Sequence, residues 1–352
     1  MSDLFQELQR LRKTLDTGNM LDLVCCFPTH MGDALERGGD FARVVERQTV
    51  GRIVVCGMGG SAIGGDMVNS CLGDGLGVPL RVNRDYRVPA SWAEESFFVF
   101  SSYSGNTAET LSAYESLRGT GAAAAAITSG GKLQSLCEQD GVPVCSIPGG
   151  MPPRAAIAYS FFPLLCILDA LGVASLDGLD FDGTQERLLQ LSEIYGSDAT
   201  QNTAADLAGK LSGHHPVVYS GGGLLDPVAR RWSCQFNENS EVFSHYGAFP
   251  ELAHNEIVGW RKANALAASI YVVSLEDGDD HPGAKRQADA ALEMIEPLAA
   301  GLARIPGFEG GRLERILSAM MLGDFTSVYL AFLNGVDPTP VKNIDLLKKR
   351  LG

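Results

Sequence analysis

Short apolar runs separated by stretches with helical spacing recur through the first half of the chain: Arg52 to Cys56, Leu80 to Asn83, Ser96 to Phe100, Ala123 to Thr128 and Val142 to Ile147. That alternation predicts a parallel sheet covered by helices. Ahead of it, residues 1–23 place leucines at helical spacing among Asp, Glu, Arg and Lys, which predicts one or two leading helices. Gly149-Gly-Met-Pro-Pro153 breaks the series, because two prolines exclude helix, and an apolar helix is expected from Ala155 to Leu171. A polar, turn-rich stretch around Asp177 to Thr184 then opens a second series. Its strands are expected at Pro216 to Ser220, Glu241 to Ser244 and Ala268 to Leu275. A long helix from Leu313 through Leu333, a turn from Gly335 to Pro340 and a short basic helix close the chain. The fold class is α/β, two doubly wound parallel-sheet domains with flanking helices, residues 1–153 and 154–352.

Composition narrows the function. A content of 45% hydrophobic residues over 352 positions suffices for two cores. The net charge of −14 argues against a nucleic-acid partner or an acidic membrane surface, both of which need clustered Lys and Arg, so any anion site is local. The eight cysteines form no C-x-x-C pair and several lie in apolar runs, the usage of reduced thiols, so zinc is not expected. With no signal-like stretch and no run near the ~20 uninterrupted apolar residues of a membrane span, a cytoplasmic location is expected.

Two loops follow predicted strands. Gly57-Met-Gly-Gly-Ser61 offers backbone N–H groups that an anion can approach closely, and Ser101-Ser-Tyr-Ser-Gly-Asn-Thr107 offers hydroxyls. Together they suit a phosphate monoester. Gly57-x-Gly59-x-x-Ala62 also satisfies a relaxed dinucleotide fingerprint, but a dinucleotide does not require Ser102, Ser104 and Thr107. Arg154, held after two prolines at a sheet edge, is placed to grip a phosphate or an oxyanion; the alternative is a surface salt bridge. Glu238 between two asparagines suits a general base, and His254 an acid or base near neutrality. Asp279-Asp280-His281 reads as an exposed turn rather than a metal site.

With Pro152-Pro-Arg154, Asn237-Glu238-Asn, His254-Asn-Glu256 and Ile344-Asp-Leu-Leu-Lys348, these loops closely resemble the bifunctional phosphoglucose/phosphomannose isomerase family, built from two sugar-isomerase (SIS) domains. The resemblance runs from about residue 50 to the C-terminus. It implies an enzyme without metal or other cofactor that interconverts glucose 6-phosphate and mannose 6-phosphate with fructose 6-phosphate through a cis-enediol, in glycolysis, gluconeogenesis or mannose metabolism. Gly59, Gly60, Ser61, Ser102, Ser104 and Thr107 would hold the phosphate. Arg154 would stabilise the enediolate, and Glu238 would move the proton between C1 and C2. His254, supplied by the other subunit of a homodimer, would assist ring opening with Lys348, the best match to the family's C-terminal lysine although Lys342 and Lys349 lie close by. The rival class is a non-catalytic SIS-type regulator, which needs the phosphate loops but not Glu238 and His254.

Overall fold

The structure is a computed structural model that describes residues 2–197, 202–262 and 265–351. In chain order the helices are α1 (Ser2–Leu15), α2 (Met20–Cys25), α3 (Phe27–Ala42), α4 (Gly59–Leu72), α5 (Ala108–Leu117), α6 (Gly131–Asp140), α7 (Ala158–Leu171), α8 (Phe181–Gly196), α9 (Thr203–Leu211), α10 (Asp226–Asn239), α11 (Pro282–Ile295), α12 (Arg312–Leu333) and α13 (Lys342–Leu351). The strands are β1 (Arg52–Cys56), β2 (Leu80–Asn83), β3 (Ser96–Ser101), β4 (Ala123–Thr128), β5 (Val144–Ser146), β6 (His215–Ser220), β7 (His245–Ala248), β8 (Ile270–Leu275) and β9 (Gly301–Ile305).

Residues 27–185 form one compact unit around a five-stranded parallel sheet of order β2-β1-β3-β4-β5. β3 is buried at every position, and a strand enclosed on both faces needs an unbroken apolar run such as Phe97-Phe-Val-Phe100. Helix α7 packs against α3, α4 and β4 and is buried nearly all round. Five of the cysteines, Cys56, Cys71, Cys137, Cys145 and Cys166, are buried. Burial pushes the Cys56 and Cys145 thiols up to about 12, the behaviour of inert core groups.

Residues 1–26 and 186–352 form the second unit, around a four-stranded parallel sheet of order β7-β6-β8-β9. In both sheets the second strand lies outside the first and the third on its other side, so the two units repeat one topology. The SIS-type architecture expected from sequence is present in both. Helix α12, 22 residues long with mean hydropathy 1.6, has the length and composition to cross a membrane, but 94% of its apolar window is buried inside the protein, the position of a core helix.

The compact units divide after Gln185, whereas the apolar pattern places the boundary between residues 153 and 154. The reason is packing: α7 covers the first sheet, while α1 and α2 lie on α12. Expected Glu241 to Ser244 is not a strand; these residues leave the end of α10, and β7 begins at His245. β9 has no counterpart in the sequence reading because an edge strand with one exposed and four half-buried positions carries no clear apolar signal.

Candidate active site

In the first unit three loops meet where the strand order reverses, at the C-terminal ends of β1 and β3, the ligand crevice of open α/β sheets. The glycine-rich loop turns directly into α4, so Gly59, Gly60 and Ser61 form its first turn and their N–H groups lie at the positive end of the helix dipole. A Cβ at Gly60 would stand 3.1 Å from the Pro153 carbonyl oxygen and 3.8 Å from the Arg154 Cα, so the Pro152-Pro-Arg154 turn lies against this loop. In the hydroxyl loop Ser102 Oγ and Thr107 Oγ1 share a hydrogen bond of 2.9 Å, and Ser104 Oγ accepts the Asn106 N–H at 3.2 Å. Thr107 is the N-cap of α5, with no side-chain cap of its own. The Met151 N–H donates to Tyr103 Oη at 2.9 Å, tying the hydroxyl loop to the segment before Arg154.

Arg154 is only 5% exposed, in a short 3-10 turn. A side chain so enclosed is no surface ion pair. All seven expected residues of this unit are thus carried by the three adjoining loops.

In the second unit Glu238 sits in the last turn of α10, beside the start of β7. It lines a cavity of about 470 Å³ with Glu241, Phe243, Val341 and Lys342. The residues around it are tied down. Asn237 Nδ2 donates to the Ser233 and Ser244 carbonyls at 2.7 and 3.1 Å, Asn239 Nδ2 donates to Ser327 Oγ at 2.9 Å, and Ser240 Oγ donates to the Ser327 carbonyl at 2.6 Å. Deeper in, buried Arg231 grips Asp324 with two bonds of 3.0 and 2.7 Å, and Gln235 donates to the same carboxylate at 2.9 Å. These bonds lock α10 onto α12. The two asparagines that suggested a base from sequence hold backbone carbonyls and the Ser327 hydroxyl.

His254 ends a short 3-10 turn and is exposed; it does not line the Glu238 cavity. Lys348 lies on α13, a helix with no buried residue, and does not line that cavity either, whereas Lys342 at the start of the same helix does. Sequence reasoning missed Glu241, which lines the cavity with backbone φ of +48°, a left-handed conformation that is costly for a side chain. Asp279 pairs with Arg315, Asp280 accepts the Asp277 N–H at 2.9 Å, and His281 Nδ1 caps α11 by accepting the Gly283 N–H at 3.0 Å. Asp280 and His281 thus bond within the turn, and Asp279 ties it to α12.

Residues 200–351 match the family described as the bacterial phospho-glucose isomerase C-terminal SIS domain. A bifunctional phosphoglucose/phosphomannose isomerase from Caldicellulosiruptor bescii is 38% identical over 94% of this chain and 98% of its own length. One of the same name from Aquifex aeolicus is 33% identical over 85% of this chain and 90% of its own. Among solved structures, tagatose-6-phosphate ketose/aldose isomerase from Escherichia coli superposes with a TM-score of 0.65 at 16% identity, over 93% of this chain and 98% of that one, a likeness of fold.

Proposed function

Because the chain belongs to the bifunctional phosphoglucose/phosphomannose isomerase family, we propose that it interconverts glucose 6-phosphate and mannose 6-phosphate with fructose 6-phosphate through a cis-enediol, with no metal ion taking part. The observation that carries this reading is Glu238 on the wall of an open cavity, at a helix end that the hydrogen bonds of its neighbours hold in place. A module that only bound phosphosugars would need the anion cradle and no such carboxylate.

Each step has a residue suited to it. The phosphate takes the N–H groups of Gly59, Gly60 and Ser61 and the hydroxyls of Ser102, Ser104 and Thr107, which fixes the sugar without touching its reacting carbons. Ring opening moves a proton from the anomeric hydroxyl and delivers one to the ring oxygen, the work assigned to His254 with a C-terminal lysine. Glu238 removes the C2 proton and returns it at C1, while the Arg154 guanidinium offsets the charge that gathers on the enediolate oxygens. Rotation about the C2–C3 bond presents either epimer's C2 proton to one base, which accounts for two aldoses on one site.

The reading includes a homodimer in which His254 serves the partner's site. It is supported by the exposure of His254 and by apolar side chains left open on the same unit, Phe243 at 77%, Val258 at 79% and Leu351 at 76% exposed. A cytoplasmic location belongs to the same proposal and follows from the composition. The deciding experiment incubates chelator-treated protein with each aldose phosphate in heavy water and follows C2 deuteration and fructose 6-phosphate by NMR. Conversion of both sugars with C2 exchange is expected. Binding of both with neither exchange nor conversion would instead identify a phosphosugar-binding regulator.

A further inference from the structure

His254 ends the first of two successive short 3-10 turns, Glu251–His254 and Glu256–Gly259. An exposed imidazole on such a segment has no inherent position. The segment is seated on the core of its unit through Leu252, Ile257 and Trp260, and a chain of hydrogen bonds ties it to the sheet as well. The Trp260 Nε1–H donates to Tyr219 Oη at 3.2 Å, and the Tyr219 hydroxyl donates to Glu256 Oε1. Tyr219 is fully buried on β6, and burial together with the neighbouring carboxylate holds its hydroxyl protonated, so it remains a donor. The second Glu256 oxygen stands 3.5 Å from His245 Nε2 on β7. β7 leaves room for this: a Cβ at Gly247 would lie 3.3 Å from both Glu256 Oε2 and Tyr219 Cδ1. The Glu256 N–H is itself held by Asn255 Oδ1 at 2.6 Å, so the backbone two residues after His254 is fixed at both its amide and its carboxylate.

We propose that Glu256 is the positioning residue for His254, anchored to the buried Tyr219 hydroxyl and through it to Trp260. The inference rests on the ring-opening role given to His254 above and names the residues that make that role possible. Hydroxyl loss from Tyr219 leaves the Glu256 carboxylate without its buried donor and loosens the turn that follows His254. A misplacement of this size slows proton transfer at the sugar ring while leaving the phosphate cradle, on different elements, untouched.

Ring opening and reclosure scramble the anomers of glucose 6-phosphate, so exchange NMR of α/β interconversion reads that step separately from isomerisation. In full-length protein, Tyr219→Phe and Glu256→Ala are expected to slow catalysed anomerisation and kcat by about tenfold to about 100-fold, with KM and Tm near the wild-type values. Glu238→Gln in the same assays stops isomerisation and leaves anomerisation running. If Tyr219→Phe does not yield folded protein, Glu256→Ala decides the matter alone. Wild-type anomerisation in both variants, with His254→Gln impaired, overturns the positioning role and leaves the isomerase reading intact. A raised KM and lowered Tm without a selective loss of anomerisation overturns it as well, since that is the mark of general loosening. Wild-type anomerisation in His254→Gln removes the role of His254 and the proposal with it.

Discussion

Gly105 shows how tightly single positions are constrained in the hydroxyl loop. Its φ is +64°, and a Cβ there would stand 1.8 Å from the Gly130 carbonyl oxygen. Gly105→Ala is therefore expected to cost about 1–3 kcal/mol and to weaken phosphosugar binding, because Ser102, Ser104 and Thr107 flank it; thermal melts and titration with fructose 6-phosphate check both. Glu238→Gln is expected to abolish conversion of both aldose phosphates and leave their dissociation constants within about twofold, since the amide keeps the shape and loses the proton acceptor. Turnover at the wild-type rate would remove Glu238 from the mechanism. The glycines and hydroxyls of the first unit were legible in sequence because their chemistry is local, carried by consecutive residues in one loop. Lys342 was not, since nothing local distinguishes it from Lys348 or Lys349, and only the fold sets it on the cavity that Glu238 lines.

Helix α10 carries Glu238, and its end is set by a residue in an unfavourable conformation. Glu241 takes the left-handed backbone that glycine adopts freely, and the Val242 N–H returns to the Phe236 carbonyl at 3.3 Å to close the helix. Glu241→Gly should raise stability by about 1 kcal/mol by removing this strain, measured as a higher Tm. An unchanged or lower midpoint would show that side-chain contacts of Glu241 outweigh the backbone cost. The same segment explains the misplaced strand. Residues 241–244 look extended and partly apolar, but the left-handed backbone at 241 closes the helix, and the pairing with β6 starts only at His245. Central strands such as β1 and β3 were readable in full because burial on both faces demands continuous apolar runs.

For the molecule as a whole, stability carries a pH dependence from His30 in α3. Burial holds its imidazole below the ordinary value near 6.5, opposed in part by Asp33, and Nδ1 is buried with no hydrogen-bond partner. The folded protein therefore prefers the neutral ring. This contribution is complete above the unfolded value and is lost as pH falls through it toward the lower folded value. The Tm of the wild type should drop more between pH 7 and pH 5 than that of His30→Gln; equal drops would show that His30 contributes nothing to the slope. The sequence by itself determined the class of each sheet and where its glycine-rich and hydroxyl-rich loops fall, because apolar periodicity and loop composition act over a few neighbouring residues. Only the tertiary structure decided that residues 1–26 belong with the second unit and that Glu256 joins Tyr219 and Trp260. Those facts depend on packing between residues far apart in the chain, where the pattern around any one residue does not identify its partner.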